Sequence, residues 1–218
     1  MSTAAVARRP VARELTLEQW ADLDEDEPGE LVDGVLEEEE MPTFLHEAIA
    51  GWIYAMLLGW VAPRGGKALT CEAKFFVGKK RGRKPDVSVY LPGRPLPRAL
   101  DGGTAKPPSI MVEVLSPRPR DVQRDRIDKL ADYARFGVAY YWIVDPQVRS
   151  LEIVQLGPEG QRALVLSVSE GKHPVPGCEG LVLDLDAVWA AGEGFASDEG
   201  EPKAPRRGRA GTKANRRR

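Results

Sequence analysis

Two carboxylates in strand-like segments are the residues of this 218-residue chain best suited to chemistry. Asp86 opens the run 86–91, in which the valines alternate onto the opposite face, and Glu113 lies inside the almost wholly apolar run 110–115. A glutamate buried in such a strand costs on the order of several kcal/mol unless a cation or hydrogen-bond donors compensate its charge. The sequence therefore predicts a partner for Glu113.

Two acids on adjacent strands can share one divalent cation. Magnesium is usually held by one or two carboxylates together with water and phosphate oxygens. Such an ion beside a lysine ammonium is the minimal equipment for hydrolysing a phosphodiester bond. Simpler interpretations stay open, because Asp86 could cap a turn after Pro85 and Glu113 could form a buried ion pair with an arginine such as Arg126.

A basic run of six residues, five of them positively charged, directly precedes the Asp86 strand. It could be a solvated hairpin loop. Next to a cation site it would also suit the phosphate backbone of DNA, and we favour that interpretation. The predicted nucleic-acid-binding residues are Lys79, Lys80, Arg81, Arg83 and Lys84.

Composition narrows the class of protein. Hydrophobic residues make up 42% and charged residues 29% of the chain, as in soluble globular proteins. The only cysteines are Cys71 and Cys178 and the only histidines are His46 and His173, in spacings that favour neither a disulfide framework nor a zinc site. No segment has the run of apolar residues expected of a membrane span or a signal peptide, so we expect a cytoplasmic protein without membrane contact.

Charge is distributed unevenly although the net charge is only -2. Acids crowd the first forty residues, and the end of the chain from Lys203 onward is purely basic. Any affinity for nucleic acid is therefore expected to be local. Residues 1–13 and 192–218 lack hydrophobic periodicity and are predicted to be disordered tails, leaving a single domain over residues 14–191.

Patterns within that domain alternate between strands and helices. Thr16 and Gln19 form a capping box for a short helix, Asp33-Gly34 is typical of a hairpin turn, and Thr43 can cap a helix to about residue 61. Strands are predicted at 68–77, 86–91, 110–115, 140–144, 151–156, 163–168 and 181–185. A helix is predicted from about Asp121 to Gly137, with an apolar stripe of Ile127, Leu130, Ala131 and Ala134, and another at 186–191. This order predicts an α/β or α+β fold with a mixed sheet.

Several short motifs in a fixed order carry a family resemblance. They are ELVDG (30–34), PD (85–86), VEVLSP (112–117), DK (128–129) and YWIVDP (141–146). With these motifs the chain resembles the Uma-two family, within the PD-(D/E)XK restriction-endonuclease-like superfamily, over about residues 14–190. His46 and Tyr133 also match the pattern of that family.

The resemblance implies a restriction-endonuclease-like mixed central sheet flanked by helices, with an extra N-terminal hairpin and C-terminal strands. It implies that Asp86 and Glu113 bind Mg²⁺ or Mn²⁺, with the backbone carbonyl of Val114 as a further ligand. Glu30 and His46 are additional catalytic candidates. DNA is the implied partner, and a homodimer is possible by analogy.

One position departs from the superfamily. Its lysine would fall two residues after Glu113, where this chain has Leu115. Members of the Uma-two family use a lysine from the following helix, and Lys129 fits that position. The commonplace alternative is a helix-surface lysine paired with Asp125 at the i, i+4 spacing.

These observations leave three functions to compare. The leading hypothesis is a metal-dependent endonuclease that hydrolyses phosphodiester bonds in DNA. The alternative from another class is a catalytically silent nuclease-fold module that binds nucleic acid or a protein partner. A phosphatase or another metal hydrolase could use the same two carboxylates.

Overall fold

A computed structural model describes residues 14–24, 29–37, 41–70, 73–118 and 122–195. The strands are β1 (Glu30–Val32), β2 (Val35–Glu37), β3 (Lys67–Thr70), β4 (Phe75–Gly78), β5 (Arg81–Arg83), β6 (Val87–Tyr90), β7 (Ile110–Val114), β8 (Tyr140–Asp145), β9 (Ser150–Leu156), β10 (Arg162–Val168), β11 (Lys172–Pro174) and β12 (Val182–Asp184). The α-helices are α1 (Leu17–Ala21), α2 (Phe44–Val61), α3 (Leu130–Phe136) and α4 (Leu185–Ala191), and a π-helical segment, Arg124–Lys129, leads into α3.

The central sheet has six strands in the order β10-β9-β8-β7-β6-β3. Strands β7 and β8 are parallel, and the other neighbours are antiparallel. All five residues of β7 are buried, as expected for a strand in the middle of a sheet with both faces covered. The predicted mixed central sheet flanked by helices is confirmed.

Side chains of β7 alternate between two hydrophobic layers. Ile110, Val112 and Val114 join the layer beneath α2 and α4. Met111 and Leu115 join the opposite layer, which includes residues of α3 and β4. Glu113 has the same alternation as Met111 and Leu115, so its carboxylate belongs to the α3 face of the sheet.

Helix α2 begins at the predicted cap, where the Thr43 side chain accepts a hydrogen bond from the backbone N–H of His46. The expectation that no segment is long and apolar enough to span a membrane is wrong for Phe44–Arg64, which could do so by length and composition alone. Residues on one face of α2 pack into the core, as those of an amphipathic core helix do. They are Ile49, Ile53, Leu57 and Val61.

A smaller sheet of four strands, in the order β2-β1-β5-β4, carries the predicted hairpin. Asp33 and Gly34 have φ angles of 52° and 87°, the left-handed conformation that a tight turn requires, so the hairpin prediction is confirmed. Strand β5 comes from the basic run that could have been a loop. It pairs with β1 and β4 and so becomes part of the folded core.

Some predicted elements differ from the structure. The single strand predicted at 68–77 is two strands, because β3 pairs with β6 in the central sheet whereas β4 pairs with β5 in the smaller one. Strand β11 was not predicted, and it pairs with β12. The tails predicted at 1–13 and 192–218 lie outside the described residues except for 192–195, where Phe195 stacks on Phe44.

Candidate active site

Asp86 and Glu113 occupy neighbouring positions on adjacent strands. The β6–β7 register pairs Val87 with Val112, so its continuation by one residue sets Asp86 opposite Glu113. Oδ2 of Asp86 accepts a hydrogen bond of 2.7 Å from the backbone N–H of Val114. The Asp86 carboxylate is therefore attached to the strand that carries Glu113.

The carboxylate of Glu113 is buried and has two partners from the helical layer that packs on its own face of the sheet. Its Oε2 lies 2.9 Å from Nζ of Lys129, and its Oε1 accepts a hydrogen bond of 2.5 Å from the hydroxyl of Tyr133. Burial raises the pKa of Glu113 well above its usual value, the carboxylate of Asp86 adds to the rise, and Lys129 opposes it.

The predicted partner of Glu113 is thus Lys129 rather than the arginine considered as an alternative. Arg126 points elsewhere, with Nη1 at 2.8 Å from Glu152 and Nη2 at 3.5 Å from Asp145.

Lys129 is only 2% exposed, and among the described residues its ammonium contacts three carboxylates. The distances from Nζ are 2.9 Å to Glu113, 3.2 Å to Glu30 and 3.3 Å to Asp125. The i, i+4 pair with Asp125 that the sequence suggested is present, but it is buried within the cluster rather than on a helix surface. A buried ammonium needs such compensation to stay charged.

The π-helical segment explains how Lys129 faces inward. A π-helix closes hydrogen bonds from i to i+5, so it rotates the following residues relative to an α-helix. Asp125 and Lys129 are buried, whereas Ile127 is 56% exposed. The predicted apolar stripe was therefore wrong at Ile127, because it assumed an unbroken α-helical period.

Glu30, a candidate from the hairpin, joins the same cluster from β1. It is buried, and its Oε1 accepts a hydrogen bond of 2.9 Å from the backbone N–H of Lys84. Its Oε2 lies 2.7 Å from Nη1 of Arg83. Burial acts to raise the pKa of Glu30, but the charges of Lys129 and Arg83 outweigh it and lower the pKa to about 2. Glu30 is therefore ionised in the folded protein.

His46 lies on the other side of Asp86, at the start of α2. Its Nε2 is 3.2 Å from Oδ2 of Asp86. Burial acts to lower the pKa of His46, but the hydrogen bond and the charge of Asp86 outweigh it, so the pKa is raised. Nδ1 is buried and makes no hydrogen bond within the part of the chain that the structure describes.

Oxygen donors dominate the region where a metal ion is expected. Asp86, Glu113 and the backbone carbonyl of Val114 offer hard oxygen ligands, which suit Mg²⁺ or Mn²⁺ better than a thiol-preferring ion. The Asp86 side chain keeps 16% of its surface exposed, so the cluster reaches solvent there. Among the described residues, no three His, Cys, Asp or Glu side chains form a ready metal cluster. The donor chemistry fits such an ion, and water or phosphate oxygens would complete the ligand set.

The residues predicted to bind nucleic acid divide into three groups by exposure. Lys79 and Lys80 are exposed at the turn between β4 and β5, and Arg81 and Lys84 are half-buried. Arg83 is buried and held by carboxylates, so its guanidinium cannot reach a DNA backbone. The expectation for Arg83 is therefore corrected: β5 turns its side chain toward α3 instead of solvent.

Three further residues of the cluster were not among the predicted site residues, although Tyr133 matched the family pattern and Asp125 was considered as a surface partner of Lys129. Asp125 and Asp132 are buried acids, and Tyr133 donates to Glu113. Their spacing was the available signal, since residues 125, 129, 132 and 133 recur at three- and four-residue intervals. The apolar stripe drew attention to the opposite residues.

Comparisons with known proteins bear on the family and on the fold. The profile of the Uma2 (Uma-two) family, described as "Putative restriction endonuclease", matches residues 15–188. The fold is similar to the crystal structure of "a putative nuclease belonging to DUF820" from Anabaena variabilis, with a TM-score of 0.65 and 21% identity over 82% of this chain and 99% of that one. At that identity the likeness shows the fold alone. No functionally curated protein matches the chain.

Proposed function

Because the chain belongs to the Uma2 family, we propose that it is a metal-dependent endonuclease that hydrolyses phosphodiester bonds in DNA. One observation carries the proposal. Lys129 brings its ammonium to 2.9 Å from Glu113, the carboxylate opposite Asp86, although Leu115 occupies the position of the superfamily's lysine. The two acids and the cation that this chemistry requires are therefore together.

The oxygen donors of Asp86, Glu113 and Val114 would hold Mg²⁺ or Mn²⁺. When bound, such an ion neutralises charge on the phosphate and makes water a better nucleophile near neutral pH. The protein's part is to hold these donors in position. Asp86 is fixed by the N–H of Val114, and Glu113 is oriented by Tyr133.

Lys129 contributes a fixed positive charge. Its ammonium is buried, so water screens it weakly, and in this proposal its charge acts on the phosphate from beside Glu113. His46, whose pKa is raised, adds a proton-bearing Nε2 beside Asp86. That imidazole could donate its proton at the partly exposed side of the site.

We propose that positively charged residues outside the cluster contact the DNA. Lys79 and Lys80 are exposed on the turn before β5. The basic end of the chain, with eight lysines and arginines from Lys203 onward, lies outside the described residues and would add counterion release. The homodimer suggested by the resemblance stays a prediction, which sedimentation equilibrium can test.

The contacts that Glu113 already makes favour a second candidate function. Both of its oxygens are engaged, one by Lys129 and one by Tyr133, so a metal ion has to compete with an existing ion pair. A nuclease fold with a closed internal ion pair could bind nucleic acid without cutting it. We therefore keep the catalytically silent binding module as the alternative.

Calorimetric titration with Mn²⁺ and Mg²⁺ and cleavage of plasmid DNA separate the two functions. The endonuclease binds metal and cuts DNA, and Asp86→Ala loses both activities because it removes a ligand. Asp101→Ala, which changes an exposed acid whose carboxylate accepts a hydrogen bond from the backbone N–H of Arg98, is the matched control and should behave as wild type. DNA binding without metal binding or cleavage would overturn the endonuclease and support the silent module.

A further inference from the structure

Arg83 is a fully buried arginine near the end of the basic run 79–84, with an exposure of 0%. Its guanidinium is shared between two carboxylates from different elements. Nη1 lies 2.7 Å from Oε2 of Glu30 in β1, and Nε and Nη2 lie 3.0 and 2.7 Å from Oδ2 of Asp132 in α3. The planar fork of arginine suits such a two-sided contact, which a lysine cannot reproduce.

Both partners of Arg83 are connected to Lys129, Glu30 by a direct contact and Asp132 by its place on the same helical stretch. Glu30 uses Oε2 for Arg83 and Oε1 for Lys129, at 3.2 Å. Asp132 follows Lys129 by three residues, about one turn along the helix. Asp132 thus holds the guanidinium of Arg83, and Glu30 contacts both that guanidinium and the ammonium of Lys129.

Charge balance decides where the ammonium of Lys129 lies. Glu30, Glu113 and Asp125 are all buried and face this one ammonium, at 3.2, 2.9 and 3.3 Å. Asp125 belongs to the same helical segment as Lys129, whereas Glu30 and Glu113 come from separate strands. If Arg83 did not neutralise Glu30, the full charge of Glu30 would compete with Glu113 for Lys129. The shorter distance to Glu113 is the arrangement expected when Glu30 already has its own cation.

We propose that Arg83 is a positioning residue that acts through Glu30: by pairing with Glu30, it keeps the ammonium of Lys129 on Glu113. In this role the buried guanidinium of Arg83 would touch neither substrate nor metal, because Glu30 and Asp132 hold it. The inference rests on the proposed nuclease function for its kinetic test, and on the ion-pair geometry alone for its structural test.

The kinetic test compares Arg83→Lys with Arg135→Met. In Arg83→Lys a single ammonium cannot contact Glu30 and Asp132 together, so Glu30 loses the cation that neutralises it. We therefore expect kcat for Mg²⁺-dependent DNA cleavage to fall by about tenfold or more with KM unchanged. Arg135 also pairs with Asp132, at 3.1 Å, but from an exposed side chain, so Arg135→Met should keep the wild-type kcat. An equal loss of kcat in Arg83→Lys and Arg135→Met would show that weakening any contact of Asp132 has the same effect. That result would overturn the inference.

A test in the Glu30→Gln variant excludes a merely structural role for Arg83. Glu30→Gln removes the charge through which Arg83 acts, so adding Arg83→Lys to Glu30→Gln should lower kcat no further. A full additional loss in that background would overturn the inference. If Arg83→Lys does not fold, the neutral set Arg83→Met, Glu30→Gln and Asp132→Asn avoids an unpaired buried charge, and its kcat should match that of Glu30→Gln.

Failure of the nuclease function can be told apart from failure of this inference. If the wild-type protein cleaves no DNA, the proposed function fails, and the position of Lys129 is measured in crystals of metal-free wild type and Arg83→Lys. We expect Nζ of Lys129 to leave hydrogen-bond distance of Glu113 in the variant and to move toward Glu30. A Lys129–Glu113 pair that keeps its wild-type distance of 2.9 Å would overturn the inference.

Discussion

Nζ of Lys129 lies 2.9 Å from Oε2 of Glu113, although the two residues are 16 positions apart. The lysine approaches from the helical layer that covers the sheet instead of from the same strand. The position two residues after Glu113 is left to a buried leucine in the hydrophobic layer. The cation that pairs with Glu113 therefore belongs to the helical layer and not to the sheet.

Replacing Lys129 by methionine should lower the rate of DNA cleavage about a hundredfold, the scale of losing one electrostatic or acid-base group. The methionine stem keeps most of the buried volume but cannot stabilise charge on a phosphate. Metal affinity, measured by calorimetry, should change far less than kcat. Lys172→Met, which changes a largely exposed lysine paired with Asp184, serves as the control. A Lys129→Met protein with normal activity would contradict the mechanism.

Glu113→Gln should change how stability depends on pH in the metal-free protein. Burial raises the folded-state pKa of Glu113 above its ordinary 4.5. The stabilisation from this group is therefore complete below pH 4.5 and is lost as pH rises through the folded-state value. We expect urea denaturation in a chelator to show wild type losing more stability than Glu113→Gln as pH rises above 4.5. Parallel pH profiles for the two proteins would contradict the shift.

Glu30→Gln should act at the acidic end of the pH range. The pKa of Glu30 is lowered from 4.5 to about 2, so its stabilisation is present above pH 4.5 and is lost as pH falls toward 2. The shift corresponds to ~3 kcal/mol of unfolding free energy. The difference in stability between wild type and Glu30→Gln, from denaturant titrations, should shrink by about that amount between pH 5 and pH 2. A difference that stays constant would show that Glu30 is not held ionised by its cations.

Ile127→Gln tests the rotation of the π-helical segment. Because Ile127 is 56% exposed, we expect the free energy of unfolding to change by less than about 0.5 kcal/mol. Ile153→Ala, at a fully buried position of the central sheet, is the contrasting variant and should cost roughly 2–5 kcal/mol. Thermal or urea denaturation measures both. A large loss in Ile127→Gln would mean that this side chain faces the core, as an unbroken α-helix would place it.

The sequence alone was sufficient for features that depend on near neighbours in the chain. Alternation in the run 86–91 and the apolar run 110–115 indicated two strands, and these pair in one sheet, with Glu113 inside β7 and Asp86 directly before β6. Asp33-Gly34 specified the hairpin turn. Gly137 has the left-handed φ of 96° predicted for the end of its helix. Such features follow from backbone sterics and from the periods of strand and helix, which a few consecutive residues determine.

Tertiary structure decided which charges are buried and where they point. Arg83 looked like part of a DNA-binding surface, yet it is buried against Glu30, 53 positions away in the chain. Ile127 looked like a core residue, yet the π-helical segment turns it outward and brings Lys129 in. A charged side chain can be buried only where opposite charges from distant elements meet it. Those partners come together only when the hairpin, the sheet and the helix have packed, so no local pattern records them.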